Sequence, residues 1–335
     1  MAKDTCVRGS MSSRGRWCFA LILAALVLTS VSIHAAEILL FEELFEDTDW
    51  TARGWYDQPH MEITASEHIP GSGHSCSWHW ENAGDVHPRG RGARVLFSPV
   101  TNVILSFHIK HSANWTWTGV NWHPHEFHFI TDVDDRYVGP AYTHLTSYVE
   151  VVGGVPRVAI QDGQNVDEGR IGQDLVGQSE QRSVAGCNGD SDGHGDGDCY
   201  PGDQMHLNTK FWEPGRVYFG EEPGATYKGD WHHVVAKVQL NTVVDGIGIG
   251  DGVMQYRFDG VLIMDHHDIV FRTGEHPNMK INQFFMAPYF GPGVSHEQEI
   301  WIDDLRIVTE DAQQTSVVDD AQDALWGGIK ASFGR

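Results

Sequence analysis

The sequence predicts an all-β protein, and three observations carry that prediction. Apolar residues recur at every second position in several runs, as in Val234, Ala236, Val238 and Leu240, the signature of a half-buried strand. Asp259-Gly260 sits between the apolar runs 253–258 and 261–264. It is a strong hairpin signal, because both residues tolerate the positive φ of a tight turn. The 335 residues include 37 glycines and 12 tryptophans at 41% hydrophobic content. That composition fits a turn-rich chain with enough apolar material for one large core.

Residues 1–36 read as a secretion signal and not as part of the fold. Lys3, Arg8, Arg14 and Arg16 precede an apolar stretch over 18–33, with small residues at Ala35 and Ala36 for cleavage. The apolar stretch is short for a membrane span, so the remainder is expected to be secreted with no membrane attachment. The formal net charge is −23, and removing a basic leader makes the rest more acidic still. Such acidity excludes nucleic acid as a natural partner.

The first strand is expected over 39–45, followed by a loop and an aromatic segment from Gly54. Alternation in Ser-Cys-Ser-Trp-His-Trp predicts a strand over 75–80, and further strands fall at 93–97 and 103–110. Asn114-Trp-Thr116 reads as a loop and matches a glycosylation sequon. In the strand 124–130, His125, Phe127 and Phe129 share one face and Glu126, His128 and Ile130 the other. Residues 142–152 and 157–161 are the next two strands. Residues 166–228 lack periodicity and read as one long ordered insertion, held by a disulfide or an ion. Beyond the run 234–241 come a Gly-rich loop at 245–252, the hairpin, and strands at 282–286 and 299–307. Residues 310–335 read as an acidic linker and a short tail, so the folded domain is 37–309.

Several groups carry possible chemistry. Asn188, Asp190, Asp192, His194 and Asp196 follow the alternation of an EF-hand-type loop. Hard oxygen donors at alternate positions suit Ca²⁺, although Cys199 stands where the bidentate Glu belongs. Cys187 and Cys199 flank this loop and are the natural disulfide pair in an oxidising compartment, which leaves Cys76 as the odd, buried thiol. Twenty histidines are many, but no zinc spacing occurs among them. No organic cofactor is implied. Trp50, Trp55, Trp78, Trp80, Trp115, Trp117 and Trp122 crowd the first half. About three are expected to line a glycan cleft and the rest to pack inside.

The order Asp-Trp-His (230–232), a strand, Leu-Asn-Thr (240–242), Asp-Gly-Val-Met-Gln-Tyr-Arg-Phe-Asp-Gly (251–260) and Trp-Ile-Asp-Asp-Leu (301–305) resembles the C-terminal half of concanavalin-A-like jelly rolls. The nearest look-alikes are polysaccharide lyases of the alginate and glucuronan type, and the pattern extends weakly upstream to 103–131. The resemblance implies two stacked antiparallel sheets, a glycan cleft on the concave sheet, and β-elimination from a uronate polymer. Elimination needs a neutraliser for the carboxylate, a base for the C5 proton and an acid for the leaving oxygen. The look-alike lyases carry a Lys near the start of the strand equivalent to 124–130, and here His123 and His125 stand instead. The available residue types assign His125 as base, Tyr148 as acid, and Arg157, Gln161 or Asn165 around the carboxylate. Tyr142, His144, His128, Trp122 and Trp117 are expected to bind substrate. Two alternatives stay open: a non-catalytic glycan-binding module, and a glycoside hydrolase using Glu126 or Glu150.

Overall fold

Two antiparallel sheets share one hydrophobic core, and each strand's alternation shows why. The computed structural model describes residues 37–56, 59–90, 92–117, 124–132, 145–161, 210–269, 271–272, 277–291 and 293–310. All of these fall in the unit Ala35–Arg335. The predicted signal 1–36, the tail 311–335, the cysteines 187 and 199 and the loop 188–196 lie outside the described residues.

The strands are β1 (Ile38–Glu43), β2 (Glu62–Thr64), β3 (Ser75–Trp80), β4 (Ala93–Val100), β5 (Asn102–His111), β6 (Pro124–Thr131), β7 (Thr146–Val152) and β8 (Val155–Gln161). Then come β9 (Lys210–Trp212), β10 (His232–Gln239), β11 (Val243–Val244), β12 (Ile247–Gly248), β13 (Gly252–Phe258), β14 (Val261–Ile269), β15 (Ile281–Phe290) and β16 (Gln298–Thr309). One sheet runs β14-β13-β10-β5-β16-β3-β2, with β1 also paired to β16. The other runs β4-β15-β6-β7-β8-β9. The first strand of the domain therefore pairs with the last.

In β10, Val234, Ala236 and Val238 point inward, opposite Phe107, Leu105 and Val103 of β5. The β13–β14 hairpin turns on Asp259 at φ 47° and Gly260 at φ 79°, the two left-handed residues that a type I′ turn requires. Asp259 also secures the neighbouring strand: the His233 amide donates to its Oδ1 at 2.9 Å, and the His232 ring approaches its Oδ2 at 2.9 Å.

A bulge in β16 is invisible in the alternation. Asp303 pairs with His108 and Arg306 with Ser106, so three steps on β16 oppose two on β5. Asp304 absorbs the extra residue at φ 49°. The inward face consequently changes parity, from Ile300 and Ile302 before the bulge to Leu305 and Ile307 after it.

Aromatic rings lock the sheets together. Trp78 of β3 and Phe107 of β5 both pack on Phe127 of β6, at centroid distances of 5.5 and 4.4 Å. Phe127 stacks in turn on Phe284 of β15 at 5.9 Å. Each such pair adds about 0.5–1.5 kcal/mol beyond the area it buries.

Three sequence expectations need correction. Trp50, Trp55, Trp78, Trp80 and Trp115 are all buried core residues, so these five fill the sandwich and do not line a cleft. Trp117 is half-buried and packs on Trp115 and His111 at the core's margin. The segment 166–228, read as lacking strand periodicity, ends in packed structure: β9 pairs with β8, and Tyr218, Phe219 and Lys228 are buried. These pieces are too short to show periodicity. The segment 245–252, read as a loop, begins within a small β11–β12 ribbon. Cys76 is a buried free thiol, as expected.

Candidate active site

The six-stranded sheet has an inner face in the core and an outer face of different composition. Val95, Phe284, Phe127, Phe129, Val149, Val158 and Ile160 point inward. The alternate residues face out, and register aligns them in rows. The central row is Arg94 (β4), Phe285 (β15), His128 (β6), Tyr148 (β7), Ala159 (β8) and Phe211 (β9). To one side lie Gln283, Ile130, Thr146 and Gln161. To the other, Glu150 pairs with Arg157, and Glu126 lies one step beyond the Phe127–Val149 pair, opposite Glu150.

At one end of the central row the Arg94 guanidinium is fully buried. Its Nη1 donates to Gln283 Oε1 at 2.9 Å, and its carbon lies 4.0 Å from the Phe285 ring centroid. The guanidinium offers only donors, so it fixes the orientation of the Gln283 amide. Because Gln283 Oε1 accepts from Arg94, the amide presents its Nε2 as a donor.

Next along the row, His128 Nδ1 lies 3.2 Å from the Phe285 carbonyl oxygen. That oxygen can only accept, so Nδ1 carries a hydrogen, and in the neutral tautomer the lone pair is on Nε2. The His128 and Tyr148 rings meet edge-on, 4.5 Å apart and inclined by 69°. Tyr148 is buried, at 7% exposure, as are His128, Gln283 and Ala159. A basic nitrogen and a phenol are thereby held side by side on two neighbouring strands.

The acidic row behaves differently. Burial and then the neighbouring Glu150 push the Glu126 carboxyl well above its ordinary value, against the pull of a hydrogen bond from the Val151 backbone. Two buried carboxyls on adjacent strands do not both ionise readily, and the shift favours the protonated form of Glu126. Glu150 Oε1 lies 4.0 Å from Arg157 Nη1, and Arg157 Nη2 lies 3.5 Å from Glu213 Oε2.

Of the residues singled out from sequence, Tyr148, His128 and Arg157 stand together on this face. Gln161 reaches it by register, opposite Thr146, and His125 lies on β6 opposite Tyr289; the side chains of both are outside the described residues. Asn165, Tyr142, His144 and Trp122 are outside them altogether, as are Asn188, Asp190, Asp192, His194 and Asp196. Trp117 packs at the core margin and is not on this face. Sequence reasoning missed Arg94 and Gln283. Their one signal was a polar residue amid the apolar runs Ala-Arg-Val-Leu-Phe (93–97) and Asn-Gln-Phe-Phe-Met (282–286).

No protein-family model matches the sequence, and no curated protein matches it. Among solved structures, the chain is similar to an endo-β-1,4-glucuronan lyase from the fungus Trichoderma reesei, at 11% identity and a TM-score of 0.45 over 81% of this chain and 96% of that one. It is similar to an alginate lyase from a Chlorella virus, at 11% identity and 0.43 over 74% and 88%. An alginate lyase from Aplysia kurodai gives 12% identity and 0.43 over 82% and 98%. At these levels of similarity the chemistry has to be read from this chain's own side chains.

Proposed function

We propose that this protein is a polysaccharide lyase that cleaves a uronate-containing polymer by β-elimination on the outer face of the six-stranded sheet. The observation that supports this most is the row in which His128 and Tyr148 touch beside the Arg94–Gln283 pair. Gln283 Nε2, its amide oxygen held by the buried Arg94, donates to the uronate carboxylate and makes the C5 proton acidic. His128 Nε2 takes that proton. The electron pair left on C5 forms the C4=C5 double bond as the C4–O bond breaks, and the Tyr148 hydroxyl protonates the departing oxygen. Arg94 touches no substrate in this scheme and acts through Gln283. With 1–36 read as a secretion signal, the polymer is extracellular.

Tyr148→Phe tests the assignment. It keeps the ring that packs on His128 and removes only the hydroxyl, so kcat is expected to fall by about 10²–10⁴-fold with the fold retained. Full activity in this variant overturns the role given to Tyr148.

A second reading has its own observation. Glu126 and Glu150 stand opposite each other on adjacent strands, with the Glu126 carboxyl pushed up by burial and by Glu150, and glycoside hydrolysis also uses a pair of carboxyls. Reducing ends formed without an unsaturated product, and lost in Glu126→Gln, would favour it.

A further inference from the structure

We propose that Phe211 is a stacking platform for a pyranose residue of the substrate, two sugar units from the bond that is cleaved. This deepens the lyase reading and rests on it for the position of the cleaved bond.

Phe211 is 43% exposed, the one aromatic among the strongly exposed large apolar side chains of the described residues. An isolated exposed ring is ordinary on a protein surface, and its position is what sets this one apart. It closes the register row that contains His128 and Tyr148, with only Ala159 between Tyr148 and itself. Two strand spacings separate them, roughly 10 Å. One strand spacing is close to the advance of one residue in an extended 1,4-linked glycan. A polymer lying across the strands therefore sets one sugar over each strand, and the sugar over β9 is the second from Tyr148.

The ring is also held in place. The Arg157 guanidinium carbon lies 4.0 Å from its centroid, and Arg157 is itself fixed by Glu150 at 4.0 Å and Glu213 at 3.5 Å. One face of the ring is thus occupied, and the other is presented without the ordering cost of a freely rotating side chain. Two carboxylates already answer the charge of Arg157. The platform accordingly recognises the C–H face of a pyranose and not its carboxylate, and it accepts a neutral sugar as readily as a uronate.

The test uses the full-length protein and its Phe211→Ala and Phe211→Trp variants on uronate oligosaccharides of increasing length. Phe211→Ala is expected to raise KM about three- to tenfold once the chain is long enough to reach β9, with the loss in KM and not in kcat. Phe211→Trp is expected to restore it. A KM unchanged at every length overturns the platform, as does an equal change at all lengths or a lowered melting temperature with no length dependence. If the wild type binds polymer without forming unsaturated product, the lyase reading fails by itself. The platform is then judged on affinity alone, and Phe211→Ala must weaken binding by the same factor or the proposal is rejected. If the wild type neither cleaves nor binds any uronate polymer, both proposals fall.

Discussion

Replacing His111 with Phe should remove a built-in sensitivity of the fold to acid. His111 ends β5 inside a ring of aromatics, 5.2 Å from Trp115, 5.1 Å from Trp117 and 5.2 Å from Phe219. Neither ring nitrogen meets a hydrogen-bond partner among the described residues. Burial first, and then the charges of Lys228 and His232, hold its pKa down to about 3 from 6.5. The folded protein therefore keeps this imidazole neutral while the unfolded chain protonates it below 6.5. Its contribution to stability is complete above 6.5 and is lost as pH falls from 6.5 towards 3. At pH 4 the loss is roughly 3 kcal/mol. Phe cannot titrate. At pH 7 it removes two unpaired buried nitrogens, worth about 1–3 kcal/mol each, against overpacking of about 1–3 kcal/mol. The His111→Phe variant is therefore close to or above the wild type at pH 7, and its advantage should widen by about 3 kcal/mol at pH 4. Urea denaturation of both proteins at pH 7, 5 and 4 measures this, with His111→Leu separating fit from charge. A difference between wild type and variant that stays constant from pH 7 to pH 4 refutes the reasoning.

Two other perturbations follow from the same packing and from the acidic loop. Trp80→Ala removes a ring that packs on Trp115 at 5.5 Å and Phe290 at 6.1 Å. It should cost about 3–5 kcal/mol of stability in a denaturation experiment, and a loss of polymer affinity at unchanged stability would instead return tryptophan to the cleft. Chelation should lower the melting temperature, since Asn188, Asp190, Asp192, His194 and Asp196 are proposed to hold a structural Ca²⁺. A melting temperature that ignores both chelator and added calcium removes that site from the account.

Strands that alternate cleanly were legible in the sequence. The strand over Ser75–Trp80 was read to the residue, and the β13–β14 hairpin was read from Asp259-Gly260. Both signals are local. What escaped depends on partners distant in the chain. The bulge at Asp304 reverses the inward parity of β16 and shows itself only against β5. The three-residue strands β2 and β9 are too short for any period to appear.

The site divides in the same way. Tyr148, His128 and Arg157 were singled out in the sequence because polar and aromatic residues alternate with apolar ones on their strands, with His125 as the base and His128 as a substrate contact. Arg94 and Gln283 are 189 residues apart. They meet because β4 pairs with β15, and no spacing within either segment announces that. Glu126 and Glu150 were read as separate carboxyls, and only the β6–β7 register makes them neighbours.

The most direct test of the central claim is the product spectrum of the wild-type protein acting on uronate-containing polymers. Elimination at the His128–Tyr148 row leaves a C4=C5 double bond conjugated to the carboxylate, so ultraviolet absorbance should rise in step with chain scission. Chain scission that yields reducing ends with no rise in absorbance would contradict it.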